Sequence, residues 1–294
     1  MSRLAILPLL AALAFAAVLP APAARAEPAL ERIARTGVLS AGTREDAAPF
    51  AFRDAQGRPV GLSVDLIEEV RKALSAKLGR DIRTEFTTVA PSTRLQVVED
   101  GRVDLVCEIA TATWPREQRI DFTLPIFRDG TRILAYRDTI AQAGTLADLR
   151  IGMVTGSTTE GILRRKLPGA ELTPYPSMLD ALRALEKGDV DGIANVGIVL
   201  RGLLPKAEKP KGLVIVPRGE ALGYEAMACI VPSNDSAWRD FVNGVLRDLF
   251  TGIEAYRGGY ADIYQRWFGR DAEIAYPLDQ RSAQFFADML IWLD

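Results

Sequence analysis

The chain has 294 residues, 48% hydrophobic and 25% charged, with 24 Gly and 17 Pro, the proportions of an ordinary globular protein and not of a disordered, collagen-like or disulfide-dense one. Its 36 Lys and Arg stand against 38 Asp and Glu, so no broad basic field advertises a nucleic-acid or anionic-membrane partner. There is no His and there are only two Cys. That removes the commonest general base near neutral pH, any Ser–His or Cys–His nucleophile, His metal sites and a four-cysteine zinc site.

Residues 1–26 have the make-up of a secretory signal peptide. Arg3 gives a positive start, Leu4 to Leu19 is apolar apart from Pro8, and Ala24-Arg25-Ala26 has the A-x-A form of a cleavage site. The apolar stretch is bracketed by Pro8 and Pro20 and is shorter than the roughly 20 residues of a membrane span. Export changes the meaning of Cys107 and Cys229. In an oxidising compartment two cysteines are a candidate disulfide, with two buried free thiols as the other reading.

After the leader, Leu30 to Thr36 forms a short helix stopped by Gly37, and Val38 to Thr43 a strand. Pro49–Phe52 and Val60–Leu62 flank a polar turn as a hairpin does. Ser63 is placed to cap a long helix through Leu78, with Val64, Leu66, Ile67, Val70, Ala73 and Leu74 at helical spacing. A strand over Ile82–Val89, a helix over Ser92–Glu99 and a strand over Val103–Cys107 follow. The second half repeats this order: strand Arg150–Val154, helix Thr158–Leu167, helix Leu179–Glu186 and a strand entered through Gly188-Asp-Val-Asp191. That last segment echoes Gly101-Arg-Val-Asp104. Helices over Asp235–Thr251 and Ala255–Phe268 end the pattern. Alternating strands and helices predict α/β architecture with parallel sheets, in two similar lobes.

Six segments in this order carry a resemblance: LERIARTGVLSAGTREDAAPFAF, QGRPVGLSVDL, DGRVDLVCEIATATWPREQRIDFTLPIF, IGMVTGSTTEGIL, EKGDVDGI and IYQRWFG. The chain resembles the bacterial extracellular solute-binding proteins of family 3, the periplasmic receptors of amino-acid ABC importers. Among them it is most similar to the glutamate/aspartate-binding branch. There Gly-Tyr-Ser stands where other members have Gly-Phe-Asp, as Gly61-Leu-Ser63 does here, an Arg follows the first strand like Arg44, and cysteines stand at the places of Cys107 and Cys229.

The resemblance implies a type II periplasmic-binding-protein fold whose chain crosses between lobes twice, near Arg132–Tyr136 and Gly223–Met227. Lobe 1 is then 27–134 with 227–294, and lobe 2 is 135–226. Both cysteines fall in lobe 1 on neighbouring strands, which favours the disulfide. Arg116 sits where the family holds the ligand's α-carboxylate, with Thr111 assisting, and a planar guanidinium suits that task. Ser157, Thr158 and Thr159 open a helix that presents an anion-binding end from lobe 2. Arg44 is positioned for a second carboxylate, and Ser92 and Asn195 complete the expected contacts. Taken without the resemblance, a lone Arg is a surface charge and Ser157 an ordinary helix cap. The implied partners are a small carboxylate-bearing ligand and an inner-membrane ABC permease, with the receptor monomeric, periplasmic and free of cofactors or metals.

The departures bear on the ligand. The family's ammonium-binding Asp falls at Val196, which has no acceptor, so the amine side of the site is not intact unless Glu108, Asp46 or Glu225 supplies a carboxylate from another direction. The expected ligand is an acidic amino acid held differently or a carboxylate with no amine. The branch's His is Met178, and the aromatic that stacks on ligands in other members is Ala47. Two arginines without that Asp favour a ligand of net negative charge. The alternative is a periplasmic enzyme on the same scaffold, such as a cyclohexadienyl dehydratase, with Glu108 or Glu160 as the acid. For the leader, N-terminal sequencing of protein recovered from the periplasm should begin at Glu27; retention of Met1 would refute it.

Overall fold

A strand rich in β-branched and small residues, Val38–Thr43 (β1), lies between two parallel neighbours, Arg83–Thr88 (β5) and Leu105–Thr111 (β6), in the computed structural model, which describes residues 27–290. The leader expected over 1–26 lies outside the described residues. Helix α1 (Ala29–Thr36) precedes β1 and ends at Gly37, whose left-handed φ of 72° lets its N–H reach the Ile33 carbonyl. A small antiparallel sheet of Asp46–Ala47 (β2), Ala51–Arg53 (β3) and Pro59–Val60 (β4) leads into α2 (Leu62–Leu78). Helix α3 (Arg94–Glu99) and the short α4 (Trp114–Glu117) flank β6.

The second unit follows the same plan. Strand β8 (Arg150–Val154) lies between parallel β9 (Glu171–Tyr175) and β10 (Gly192–Val196), with α6 (Thr158–Lys166) and α7 (Met178–Lys187) as crossovers and α8 (Gly197–Leu203) after β10. The units are joined by β7 (Asp121–Tyr136), a 16-residue strand that the sequence reading did not find. From Asp121 to Gly130 it pairs antiparallel with β12 (Tyr224–Val231), and from Thr131 to Tyr136 with β10 and with β11 (Leu213–Val216). The resulting order is β5-β1-β6-β12-β7-β10-β8-β9 with β11 on the free side of β7. Helix α5 (Arg137–Gln142) follows β7; α9 (Ser236–Phe250), α10 (Gly259–Phe268) and α11 (Gln280–Leu290) close the chain over the first unit.

The Gly-x-Val-Asp echo has a physical cause. The Asp104 carboxylate accepts the Ser40 N–H at 2.8 Å while its own N–H donates to the Ser40 carbonyl. Asp191 makes the same reciprocal pair with Arg150, accepting its N–H at 2.9 Å and donating to its carbonyl. Each Asp thus fixes the entry of one parallel strand against its neighbour. Arg32 pairs with Asp104, and Arg150 forks onto both oxygens of Asp191. The environments differ. Burial pushes the Asp104 carboxyl up against the pull of Arg32, whereas the guanidinium of Arg150 holds the more exposed Asp191 below the usual range.

The main core lies between the first sheet and α2, α9 and α10: Leu66, Ile67 and Leu74 pack against Phe127, Trp238, Phe250, Tyr260 and Phe268, all buried. Each such side chain contributes about 1.5–3 kcal/mol by leaving water. The second sheet has one apolar cluster on α7 and α8, including Leu182 and Leu200, and another on α6, including Ile151 and Leu163. Cys107 and Cys229 are register partners on β6 and β12 and form a disulfide, which settles the open reading of the pair.

Three local expectations are corrected. Ser63 does not cap α2: the helix begins at Leu62 after Gly61, and the buried Ser63 hydroxyl has no hydrogen-bond partner among the described residues. Gly61 sits at φ 130°, where a Cβ would lie 2.2 Å from the Phe50 carbonyl oxygen, so the turn from the small sheet sets the helix start. Helix α3 starts at Arg94, leaving Ser92 in the preceding turn. Helix α10 starts at Gly259 and not Ala255, because Tyr256 (φ 55°) and Gly258 (φ 96°) break the run.

Replacing Asp104 by Ala leaves the half-buried Arg32 and the Ser40 N–H without their carboxylate and should cost about 2–3 kcal/mol. The same change at the exposed Asp191–Arg150 pair should cost about 1 kcal/mol. Urea unfolding of the two variants measures the difference; equal losses would show that burial is not what separates them.

Candidate functional site

The end of β6, the start of α6 and the start of β12 surround a cavity of about 470 Å³. Thr111, Ala112 and Thr113 line it from the first unit, Ser157, Thr158 and Ile162 from the second, and Leu222 to Ala226 from the return chain beside β7. This is where the ends of parallel strands from two α/β units converge, the usual place for a ligand crevice. That convergence follows from the pairing of β7: Thr131 donates to Gly223 at 2.8 Å and accepts from Leu222 at 3.0 Å, holding the return chain at the junction.

On the first-unit side the chain leaves β6 at Thr111 and turns at Thr113 into α4, with Pro115 in its first turn. The turn folds Arg116 back, and its Nη1 donates to the Thr111 carbonyl at 2.8 Å. The guanidinium is half-buried just behind the cavity wall. Burial lowers its pKa from the usual arginine value, repulsion from Arg94 lowers it further, and Glu225 opposes both. Arg94 is itself buried, donating to Glu108 at 2.9 Å and to the Ile109 carbonyl at 3.2 Å. Sequence reasoning missed it, though Arg94 shares the inward phase of Val97 and Val98, an unusual place for an arginine without a partner.

On the second-unit side Gly156, at φ 70°, turns the chain from β8 into α6. Ser157 is the cap residue, and its buried hydroxyl has no hydrogen-bond partner among the described residues. Thr158, the first residue of the helix, lines the cavity with Glu225 and its hydroxyl lowers the pKa of that carboxyl. Helix N–H groups without intrahelical partners end here and favour an anion. Arg165 and Lys166 at the other end of α6 reach the cavity wall and add positive charge.

Thr111, Ser157 and Thr158 therefore line one cavity, and Arg116, itself outside the lining, is tied to it through the Thr111 carbonyl. Other expected residues are placed elsewhere. Arg44 follows the end of β1, half-buried, and does not line this cavity. Ser92 is exposed in its turn, and Thr159 is buried on α6 away from the lining. Asn195 turns its Oδ1 to the N–H of Val196 at 2.8 Å, in register with Arg132. Val196 is 3% exposed and packs with Ile198 and Phe127 in the core. The acids named for an enzyme are engaged in ion pairs, Glu108 with Arg94 and the surface Glu160 with Arg164 at 2.9 Å.

Glu225, on β12 opposite Asp129, lines the cavity and is 7% exposed. Burial pushes its carboxyl above the usual range; the Thr158 hydroxyl and Arg116 pull it down, and Asp129 raises it. Asp129 is held separately by the N–H groups of Gly130 and Ile198 and by the Tyr276 hydroxyl, each at 2.7 Å.

The sequence profile of bacterial extracellular solute-binding proteins, family 3, matches residues 39–270. The chain is 28% identical over 262 residues to the L-glutamate/L-aspartate-binding protein of Pseudomonas aeruginosa, covering 86% of this chain and 84% of that one. It is 28% identical over 250 residues to the glutamate/aspartate import solute-binding protein of Salmonella typhimurium, covering 81% and 79%. Among solved structures it is similar to the ancestral amino acid-binding protein AncCDT-1, a precursor of cyclohexadienyl dehydratase (TM-score 0.67, 22% identity, 82% of this chain and 100% of that one). It is also similar to a mutant of ArgBP from T. maritima (TM-score 0.66, 24% identity, 82% and 100%). These likenesses show the fold of type II periplasmic amino-acid binding proteins.

A carboxyl whose pKa is raised on folding destabilises the native state as pH climbs through its titration range. Glu225→Gln should therefore raise the melting temperature of the ligand-free protein at pH 7.5, and that advantage should shrink as the pH is lowered. A stabilisation that does not change with pH would exclude titration of Glu225 as its source.

Proposed function

Because the chain belongs to the bacterial extracellular solute-binding proteins of family 3, we propose that it serves in the periplasm as the receptor of an ABC importer and binds a small carboxylate-bearing solute of net negative charge in the cavity between its two units. The relatives named for glutamate and aspartate support an acidic amino acid or a related organic acid. The lobes are then those expected from sequence, 27–134 with 227–294 and 135–226, and the change of partners along β7 near Gly130 supports a division close to those points.

One observation carries the ligand chemistry. Arg116 is half-buried with one guanidinium nitrogen spent on the carbonyl of Thr111, which lines the same cavity as the hydroxyl-bearing start of α6. A guanidinium keeps its charge in such a place and retains donors for a carboxylate. Arg165 and Lys166 on the same cavity leave Glu225 outnumbered, so an anion gains most from entering. Arg94 is a weaker candidate anchor because Glu108 already neutralises it.

A receptor is favoured over an enzyme on the same scaffold. The relatives are binding proteins by name, one of them an import solute-binding protein, the dehydratase-related neighbour is itself an amino acid-binding protein, and both acids named for a dehydratase are engaged in ion pairs.

The test is a thermal-shift screen of residues 27–294 against the amino acids and against mono- and dicarboxylates. A ligand at 100 times its Kd adds about 2.7 kcal/mol of stability. Preference for lysine or arginine would overturn the anionic-ligand reading. Arg116→Ala should weaken the acidic ligand by about 30- to 5000-fold with the fold intact, the cost of removing one partner of a buried charge pair. Unchanged affinity in calorimetry would place the carboxylate elsewhere.

A further inference from the structure

An α-amino acid carries its ammonium one carbon from its carboxylate, so a site that holds both needs an acceptor beside the carboxylate donors. At position 196 this chain offers only a buried valine. The structure supplies a carboxylate from another element. Glu225 is the one acid lining the cavity among the described residues. It shares that lining with Thr158 and with Thr111, whose carbonyl holds Arg116, and both Thr158 and Arg116, the two groups expected to hold the ligand's carboxylate, lower its pKa.

We propose that Glu225 accepts the ammonium of the bound ligand, taking the place of the carboxylate absent at position 196, so that the cavity selects α-amino acids over amine-free carboxylates. The assignment rests on the reading of Arg116 and Thr158 as the carboxylate seat.

Three features favour it. Glu225 is on β12, in register with Asp129 of β7, so its backbone is fixed by the ladder that joins the units. A carboxylate has roughly four acceptor positions, and Glu225 lines the cavity, so it has capacity toward a ligand there. Finally, a ligand carboxylate seated against Arg116 also stands beside Glu225, and two carboxylates repel in a partly desolvated site unless a cation lies between them. An ammonium supplies that cation; a dicarboxylate without an amine does not. Asp129 does not compete for the role, because two backbone N–H groups and Tyr276 already occupy it.

Calorimetric titration of L-glutamate against glutarate, and of L-glutamine against glutaramate, separates the possibilities. The wild type should bind the amino acid of the preferred pair about 10- to 150-fold more tightly than its deaminated counterpart, the weight of a hydrogen bond to a charged group. Glu225→Gln should collapse that ratio by weakening the amino acid while leaving the amine-free compound unchanged or tighter. Glu225→Asp should restore part of it. A merely structural role would weaken both members of a pair alike and would overturn the proposal, as would equal binding of the pair by the wild type. Preference for the glutamine pair with the same collapse would overturn the anionic-ligand reading and leave Glu225 in its role. A collapse of the ratio accompanied by indifference to Arg116→Ala would overturn the carboxylate seat at Arg116 alone.

Discussion

Every strand in the larger sheet depends on how β7 satisfies its backbone. A strand of 16 residues presents donors and acceptors along its whole length, and buried ones left unpaired are costly. Its first part finds β12, and its last part finds β10 and β11, each belonging to a different α/β unit. The pairing makes one continuous sheet out of two repeats. It also brings the ends of β6 and β8 to face one another across the returning chain. On the proposed reading, a small solute enclosed there would touch both units at once.

The two repeats solve one local problem in the same way. A parallel strand entering from a helix needs a register, and the Asp of Gly-x-Val-Asp provides it through a reciprocal hydrogen-bond pair with the neighbouring strand. In the first unit that Asp is buried and its charge is answered by Arg32; in the second it is near the surface and answered by Arg150. The geometry is conserved between units while the electrostatics differ, because only one of the two sites is covered by further structure. Trp238 of α9 provides part of that cover, donating its indole N–H to the Asp104 carbonyl at 2.8 Å.

Charge in the cavity follows from the same economy of burial. Arg94 comes with Glu108, Arg116 and Glu225 act on one another electrostatically, and Glu225 shares the cavity lining with the start of α6. The half-buried charges are thus balanced, and the positive excess comes from Arg165 and Lys166. A solute that brings both a carboxylate and an ammonium exchanges one set of pairings for another without exposing a bare charge to the interior, which is what partly buried ionic groups require.

The sequence by itself determined the local elements and their repetition. The helical phase of α2, the bounds of β1 and β8, the Gly37 stop and the paired Gly-x-Val-Asp segments were all legible, because each depends on neighbours within a few residues. The resemblance extended this to the family and to the neighbourhood of Arg116, Thr111 and Thr158. Strands β7 and β12 were not legible. Asp129, Arg128 and Pro125 interrupt any alternating pattern in β7, and only partners far along the chain satisfy them. Glu225 was legible as one of three acids, but its place at the cavity was decided by the pairing of β12 with β7. Arg44 and Asn195 stand close in sequence to groups of the expected site but are not among the residues lining the cavity, and Asn195 instead accepts the Val196 N–H. Local sequence fixes which way a backbone runs; which side chains from distant segments meet is settled only when the sheet closes around its shared strand.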